Sequence, residues 1–257
     1  MNLLHLTIRA LRMAALGLLV VLVQGCATGP NANPADPLEP FNRTVFNVND
    51  GLDRAIFMPV AKAYKDVTPS PVRTGVNNFF NNIADVWSVV NNALQFKPKE
   101  TLETGIRVAF NSTLGLAGVL DIGTEMRLAR NKQDFGQTLG YWGMASGAYV
   151  VLPFFGPSSV RDSVGMVVGS SVDVLGNVKN VPFRNSLIIM RVVDKRADFL
   201  GTEAVLEQAS LDKYSFTRDL YLQRRANSIG RNTAPQDTPP KEERYDLPVP
   251  ATVPAAK

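Results

Sequence analysis

The chain has 257 residues, of which 45% are hydrophobic and 19% charged, and its formal net charge is +4. It holds one Cys, Cys26, and one His, His5, so intramolecular disulfides and thiolate metal clusters are excluded. Once the segment carrying His5 is removed, Ser-His-Asp triads and His-containing zinc sites are excluded too. Without Arg9 and Arg12 of that segment the charge falls to +2, which does not indicate nucleic-acid binding.

Residues 1–25 have the pattern of a signal peptide. Arg9 and Arg12 precede an uninterrupted apolar run of 11 residues, which is shorter than the roughly 20 residues that a transmembrane helix needs. Cys26 follows directly, as in bacterial lipoprotein signals, in which the thiol receives a diacylglycerol and the chain is cut before the Cys. The alternative is an ordinary secretory signal with an incidental Cys, but it leaves an odd thiol to explain.

We therefore predict lipidation of Cys26 and a short tether over residues 26–35. Ala27 follows the Cys, and in lipoproteins of this kind a residue other than Asp at that position implies the outer membrane.

Helical patterns follow the tether. Asp36 as N-cap with Glu39 three residues later predicts a capping box and a first helix. Residues 70–95 form a second, long helix that we expect to be interrupted near Asp85, and Pro98 begins a third that ends at Gly115. The apolar stripe of the first helix comprises Phe41, Val45, Val48 and Leu52.

The polar face of the 70–95 helix is rich in Asn where a solvated helix would carry Lys and Glu. Asn is a mediocre helix former, so these amides indicate a face packed against other elements or lining a polar passage. An Asn-rich outer surface is the remaining alternative. The residues are Asn77, Asn78, Asn81, Asn82, Asn91 and Asn92.

A segment between Asp134 and Arg161 contains no charged residue. Its Gly and Pro residues rule out a transmembrane helix, because irregular backbone exposed to lipid is very costly. It predicts either a buried hairpin around residues 149–155 or a segment lying against a lipid interface, and the lipid anchor favours the second. Ser159 and Asp162 then form a capping pattern, which explains Ser159 better than a role as nucleophile does.

Charged residues return after Arg191 and predict two helices over residues 183–229 with one solvated side. Six prolines and scattered charges then predict a disordered tail over residues 230–257. A lipid-tethered chain with an uncharged centre and a charged end is typical of a monotopic membrane protein, which lies in one leaflet.

Six motifs in order resemble the MlaA/VacJ family of outer-membrane lipoproteins. They are DPLEPFNR at 36–43, NDGLDR at 49–54, PVRTGVNNFFNN at 71–82, FNSTLGLAG at 110–118, DFGQTLGYWG at 134–143 and LPFFGPSSVRD at 152–162. The likeness extends to about Tyr221. One departure is Phe96, which stands where Gly is common in the family.

The resemblance implies a mainly α fold: a ring-shaped bundle of amphipathic helices over residues 36–229, monotopic in the outer membrane, with a central amphipathic channel. It implies a non-enzymatic protein, without cofactor or metal, that removes mislocalised phospholipids from the outer leaflet. The expected partners are phospholipid, a periplasmic lipid carrier resembling MlaC and a trimeric porin. Candidates for the channel or the membrane-facing surface are Asn77, Asn78, Phe79, Phe80, Asn81, Asn82, Tyr141, Trp142 and Tyr149.

Two other functions compete with this one. A structural lipoprotein would recruit envelope proteins through its charged C-terminal helices. A hydrolase would use carboxylates such as Glu100, Glu103 and Asp134, but nothing in their spacing indicates a shared site.

Overall fold

A computed structural model describes residues 36–209 and 212–233. The predicted signal peptide, Cys26 and the tether lie outside this part of the chain. Residues 230–233 of the predicted tail are helical, which differs from the prediction, and the rest of the tail lies outside the described residues. The prediction of a mainly α fold is confirmed. In chain order the elements are α1 (Glu39–Leu52), a π-helical turn (Asp53–Phe57), α2 (Met58–Val67), α3 (Ser70–Leu94), α4 (Pro98–Thr113), α5 (Ile122–Glu125), α6 (Phe135–Tyr141), β1 (Tyr149–Leu152), β2 (Gly156–Ser159), α7 (Val160–Ser171), a 3-10 turn (Leu175–Asn177), α8 (Val181–Ala209) and α9 (Lys213–Thr233).

The N-terminal capping box predicted at Asp36 is wrong. Helix α1 begins at Glu39, and no side chain caps it. The Asp36 carboxylate is buried instead, where it accepts hydrogen bonds from Asn42 at 2.8 Å and from the Tyr214 hydroxyl. Glu39 pairs with Arg43 at 2.7 Å. The Asp36 carboxylate therefore bonds to Tyr214 of α9, although the local sequence pattern predicts that it caps α1.

The long helix predicted over residues 70–95 is confirmed as α3, but without an interruption at Asp85. Asp85 is fully buried inside the helix, and its two carboxylate oxygens accept hydrogen bonds from Arg130 at 3.2 and 2.8 Å. This pairing satisfies the charge, so the buried Asp does not break the helix.

Helix α4 ends as predicted before Gly115. A Cβ at residue 115 would lie 2.3 Å from the Leu120 carbonyl oxygen, so the chain can close its turn only with Gly there. Phe96, in the connection between α3 and α4, has a φ of 52°, a left-handed conformation that Gly adopts more easily. The connection thus keeps a glycine-like backbone although the residue is Phe.

Of the two alternatives for the uncharged segment, the structure contains the hairpin around residues 149–155, which the sequence did not favour. Strands β1 and β2 pair antiparallel, with Tyr149 opposite Ser159 and Leu152 opposite Gly156. Tyr149 and Val151 are buried in a small apolar cluster with Tyr214 of α9. The predicted cap at Ser159 is also confirmed, because its hydroxyl accepts a hydrogen bond from the Asp162 backbone N–H at 3.2 Å.

Contacts between elements close into a ring. Helix α3 contacts α8, α8 contacts α2, and α2 continues through the π-helical turn into α1. Helix α1 contacts β1, β2 contacts α7, α7 contacts α6, and α6 returns to α3. Helix α4 packs against α3, and α9 packs against α6 and β2. Among the described helices, none is long and apolar enough to cross a membrane.

Candidate functional site

The polarity of the protein is inverted relative to a soluble domain. Among the described residues, 19 polar or charged side chains are buried but only 7 apolar ones. At the same time, 36 large apolar side chains are exposed. Soluble proteins rarely expose contiguous apolar surface on this scale, and large patches mark contacts with a membrane or a partner.

Helix α4 illustrates this inversion. Its buried face carries Thr104, Arg107 and Asn111, whereas Leu102 and Ile106 point outward with exposed fractions of 66% and 39%. The amphipathic pattern of α4 is the one that the sequence predicts, but its apolar side is the outer side of the protein.

A chain of polar contacts connects α2, α8 and α3. The Tyr64 hydroxyl donates to Asp194 at 3.0 Å, and Asn77 donates to Asp194 and Asp198. Asn81 in turn donates to the side chain of Asn77. Burial raises the pKa of Asp194 and raises that of Tyr64 to about 12. The buried Asp194 carboxylate therefore accepts hydrogen bonds from neutral donors and forms no salt bridge among the described residues.

The remaining Asn side chains of α3 are packed against neighbouring elements. Asn82 donates to the Ser112 hydroxyl of α4 at 3.0 Å, and Asn92 donates to the Asn131 carbonyl at 3.0 Å. Asn91 is fully buried and accepts from Thr138 of α6 at 2.8 Å. The alternative of an Asn-rich outer surface is therefore wrong for these residues.

An apolar cavity of about 440 Å³ lies between α3 and α8. Its volume falls within the roughly 300–1,000 Å³ typical of small-molecule sites. Every lining residue is apolar. They are Pro71, Val72, Gly75, Val76, Phe79, Phe80, Val119, Leu187 and Met190.

A second cavity, of about 530 Å³, adjoins the first and is polar on one side. The two cavities share Pro71, Gly75 and Val119, so they meet along the N-terminal part of α3. A Cβ on Gly75 would lie 2.9 Å from Val119 Cγ1, so a side chain at this position would crowd the junction of the two cavities. The polar lining comprises Ser70, Thr74, Asn78, Asp121 and Glu125.

Asp121 at the polar cavity is held in its ionised form. Its oxygens accept hydrogen bonds from Arg107 at 2.8 and 2.9 Å, from Asn111 at 3.1 Å and from the Thr124 hydroxyl at 2.6 Å. Burial alone would raise the pKa of Asp121, but these donors outweigh it and lower the pKa below its usual value. Arg107, which is buried and does not line the cavity, therefore neutralises the charge of Asp121.

An ionic cluster fixes α9 against α6 and α7. Arg225 donates to Asp134 at 2.6 and 2.9 Å and to Asp162 at 2.8 Å. Asp162 also accepts from Arg161 and from the Tyr221 hydroxyl. Burial would raise the pKa of Asp162, but the bonds from Arg225 and Tyr221 and the positive charges of Arg225 and Arg161 lower it to about 2.

The structure divides the predicted site residues of α3 among three places. Asn78, Phe79 and Phe80 line the cavities, and Asn77 and Asn81 belong to the polar chain, while Asn82 packs against α4.

The candidates Tyr141, Trp142 and Tyr149 lie apart from the cavities. Trp142, 61% exposed, contacts Tyr141 and donates to the Leu94 carbonyl at the end of α3. Tyr149 lies in the apolar cluster of the hairpin, and its buried hydroxyl has no hydrogen-bond partner among the described residues.

The carboxylates considered for hydrolysis have structural partners. Asp134 caps α6 and pairs with Arg225, and Glu103 accepts from Asn131 at 3.0 Å. The described residues contain no group of His, Cys, Asp and Glu side chains arranged to hold a metal ion.

Sequence reasoning missed the contribution of α8 to the apolar cavity. Leu187 and Met190 lie more than 90 residues beyond the end of α3 in the chain, and the helical spacing that predicts α8 does not indicate which element it contacts.

Comparison with known proteins gives consistent matches over most of the chain. The lipoprotein MlaA of the intermembrane phospholipid transport system of Escherichia coli is 35% identical over 238 residues, which cover 89% of this chain and 93% of that protein. The protein of the same name from Haemophilus influenzae is 29% identical over 211 residues, covering 79% and 84% of the two chains.

A solved structure from work on the structural basis for maintenance of bacterial outer-membrane lipid asymmetry superposes with a TM-score of 0.67 at 33% identity. It covers 76% of this chain and 98% of its own. The profile of the family described as MlaA lipoprotein matches residues 34–228. The chain therefore belongs to the MlaA lipoprotein family.

Proposed function

We propose that this protein is an outer-membrane lipoprotein of an intermembrane phospholipid transport system. In this role it removes mislocalised phospholipids from the outer leaflet and thereby maintains the lipid asymmetry of the outer membrane. The observation that carries the proposal is the inverted polarity of the ring: apolar side chains outside, polar side chains inside.

The apolar outer surface supports embedding of the domain in one leaflet. The exposed side chains at the hairpin turn, Phe154 and Phe155, are 73% and 70% exposed in water and would be buried in the acyl chains of a bilayer. The lipid on Cys26 adds a second anchor, and two such signals together give stable membrane attachment where one does not.

The polar interior supports a passage for the headgroup. Moving a phospholipid between leaflets is slow because its polar head must cross hydrocarbon, where it finds no hydrogen-bond partners. Amides such as Asn78 offer neutral partners along α3, and the adjoining apolar cavity beside Phe79 accommodates an acyl chain. We propose the two cavities as part of the path that a phospholipid follows.

The partners in this function are a periplasmic lipid carrier resembling MlaC, which accepts the lipid, and a trimeric porin, which holds the protein at the outer membrane. The charged helices α8 and α9 are the surface that we assign to contacts outside the membrane. No catalytic group is assigned to this function.

The test is a strain that lacks this protein. Phospholipid accessible from the cell exterior should accumulate in its outer leaflet, and expression of the wild-type chain should restore the low level. Unchanged asymmetry with lost recruitment of an envelope partner would favour the structural lipoprotein instead.

A photo-crosslinking experiment tests the path itself. A photoreactive amino acid at Phe79, inside the apolar cavity, should capture phospholipid in cells, whereas one at Arg224, exposed on α9, should not. Failure of crosslinkers throughout residues 70–95 and 135–160 to capture phospholipid would contradict the proposed path.

A further inference from the structure

The two carboxylates that line the polar cavity differ in whether their charge is balanced by a partner. Asp121 is paired with Arg107, and its oxygens accept hydrogen bonds from Arg107, Asn111 and Thr124, so it presents little net charge to a ligand. Glu125 also lines the cavity, but its carboxylate forms no hydrogen bond or ion pair with any described residue. Glu125 is therefore the uncompensated charge of this cavity.

No positive side chain lines the polar cavity to offset Glu125. Its lining consists of apolar residues, hydroxyl and amide side chains and the two carboxylates. Arg127, the nearest cation along the chain after Glu125, is exposed and lies outside the lining. A ligand group that enters the cavity thus meets a negative potential, which attracts cations and repels anions.

The position of the cavity determines which part of an amphiphile meets this potential. Because the apolar cavity adjoins it at Gly75 and Val119, a lipid with one chain between α3 and α8 places its polar end beside Asn78 and Glu125. The apolar cavity contains no polar side chain that could hold a headgroup.

We propose that the polar cavity is a headgroup subsite that selects phospholipids bearing a positively charged amine, such as ethanolamine, over phospholipids with a net negative headgroup. The Glu125 carboxylate pairs with the ammonium group, and the apolar cavity holds an acyl chain of the same molecule. This inference rests on the proposed function, because it concerns the lipid that the same path carries.

The size of the expected effect follows from the exposure of Glu125. Exposed ion pairs are weak, so a single carboxylate–ammonium contact changes a binding constant by about a factor of two to five. Repulsion between Glu125 and an anionic headgroup increases the same preference for an amine-bearing lipid. We therefore expect a preference and not an absolute selection.

The experiment uses the full-length lipidated protein in detergent micelles that contain equal amounts of dioleoyl phosphatidylethanolamine and dioleoyl phosphatidylglycerol. Native mass spectrometry measures the ratio of the two lipids bound without covalent attachment. The variants are Glu125→Gln, which removes the charge, and Glu125→Lys, which reverses it. Asp66→Asn is the matched control, because Asp66 is an exposed carboxylate on α2 that lines neither cavity.

Wild type and Asp66→Asn should bind the ethanolamine lipid with about threefold enrichment. Glu125→Gln should bring the ratio close to one, and Glu125→Lys should favour the glycerol lipid. Bound lipid without enrichment in the wild type, or an unchanged ratio in Glu125→Lys, overturns the headgroup selection and leaves the proposed function intact. If the wild type binds neither lipid, both the headgroup selection and the proposed function are overturned.

Discussion

The carboxylate of Asp162 connects α7 with α9. It accepts hydrogen bonds from its neighbour Arg161 on α7 and from Tyr221 and Arg225 on α9. Only 7% of the residue is exposed. Two guanidinium groups would lose a buried counter-charge if this carboxylate were removed, so the cluster is a point where a single substitution affects several elements.

We expect Asp162→Asn to lower the free energy of unfolding by about 3 kcal/mol, because breaking a buried ion pair leaves a charge without its partner. Thermal unfolding in detergent, followed by circular dichroism at 222 nm, measures this loss. Asp66→Asn is the control and should leave the unfolding temperature unchanged.

The same residue predicts a pH dependence. The pKa of Asp162 is lowered to about 2 in the folded protein, below the usual value of a carboxyl group in an unfolded chain. Its stabilising contribution is therefore fully present above about pH 5 and is lost as the pH falls toward 2. In the Asn variant this part of the pH dependence should be absent. An unfolding temperature that falls equally in both proteins between pH 5 and pH 2 would assign the effect to other groups.

Gly75 provides a residue-scale test of the path. A leucine at this position fills the junction of the two cavities against Val119, while leucine is favourable in a helix. We expect Gly75→Leu to fold but to fail to restore lipid asymmetry in a strain without the protein. Gly105→Leu is the matched control, since a Cβ at Gly105 in α4 meets no atom within 4 Å.

Among the elements, the hairpin has the clearest separation of two surfaces. Tyr149 and Val151 of β1 face the apolar cluster, whereas Phe154 and Phe155 in the turn are exposed. Burial of each exposed phenylalanine in lipid would contribute about 2 kcal/mol, so the turn is a strong candidate for insertion.

We expect a fluorophore on Phe154→Cys to be quenched by lipid-borne quenchers when the lipoprotein is reconstituted in vesicles. The thiol of Cys26, when acylated, does not compete for the label. The same fluorophore on Arg224→Cys, exposed on α9, should be quenched only from the aqueous phase. Aqueous quenching at both positions would contradict insertion of the turn.

Most elements could be predicted from local patterns. Helices α3 and α4 follow from apolar spacing and from proline at their first turns, and the cap at Ser159 follows from its distance to Asp162. Local patterns could not predict which face of each helix points to the interior of the domain. Spacing shows that α4 has two faces, but only its packing on α3 shows that Arg107 is inside and Leu102 outside.

Long-range pairing explains the other differences. Asp36 has every local feature of a cap, but Tyr214 lies 178 residues away in the chain and determines where its carboxylate points. The apolar cavity depends likewise on the contact between α8 and α3. No pattern within a single helix contains this information, so the candidate site could be predicted only as far as the Asn78–Phe79–Phe80 stretch.

For the whole molecule, attachment at Cys26 remains a prediction, because this residue lies outside the described part of the chain. We expect Cys26→Ser to block acylation and cleavage, so that an uncleaved precursor accumulates. Its electrophoretic mobility and the loss of incorporated radiolabelled palmitate measure this effect. A cleaved, soluble and fully active product would show that an ordinary secretory signal is present instead.

The ring also explains how a domain with few apolar residues in its interior holds together. Ion pairs join elements far apart in the chain: Asp53 pairs with Arg196 at 2.6 Å, and Asp50 pairs with Lys213 at 2.5 Å. In a bilayer the hydrophobic effect does not drive apolar surfaces of the protein together, so packing and polar contacts must hold the elements.

The apolar outer surface also affects how the folded domain behaves in water before it reaches a membrane. In water, the 36 large apolar side chains that are exposed among the described residues favour self-association of the folded domain. The folded domain therefore cannot remain in aqueous solution at appreciable concentration. We therefore expect the protein to need an escort that shields these helices from water until they reach a membrane.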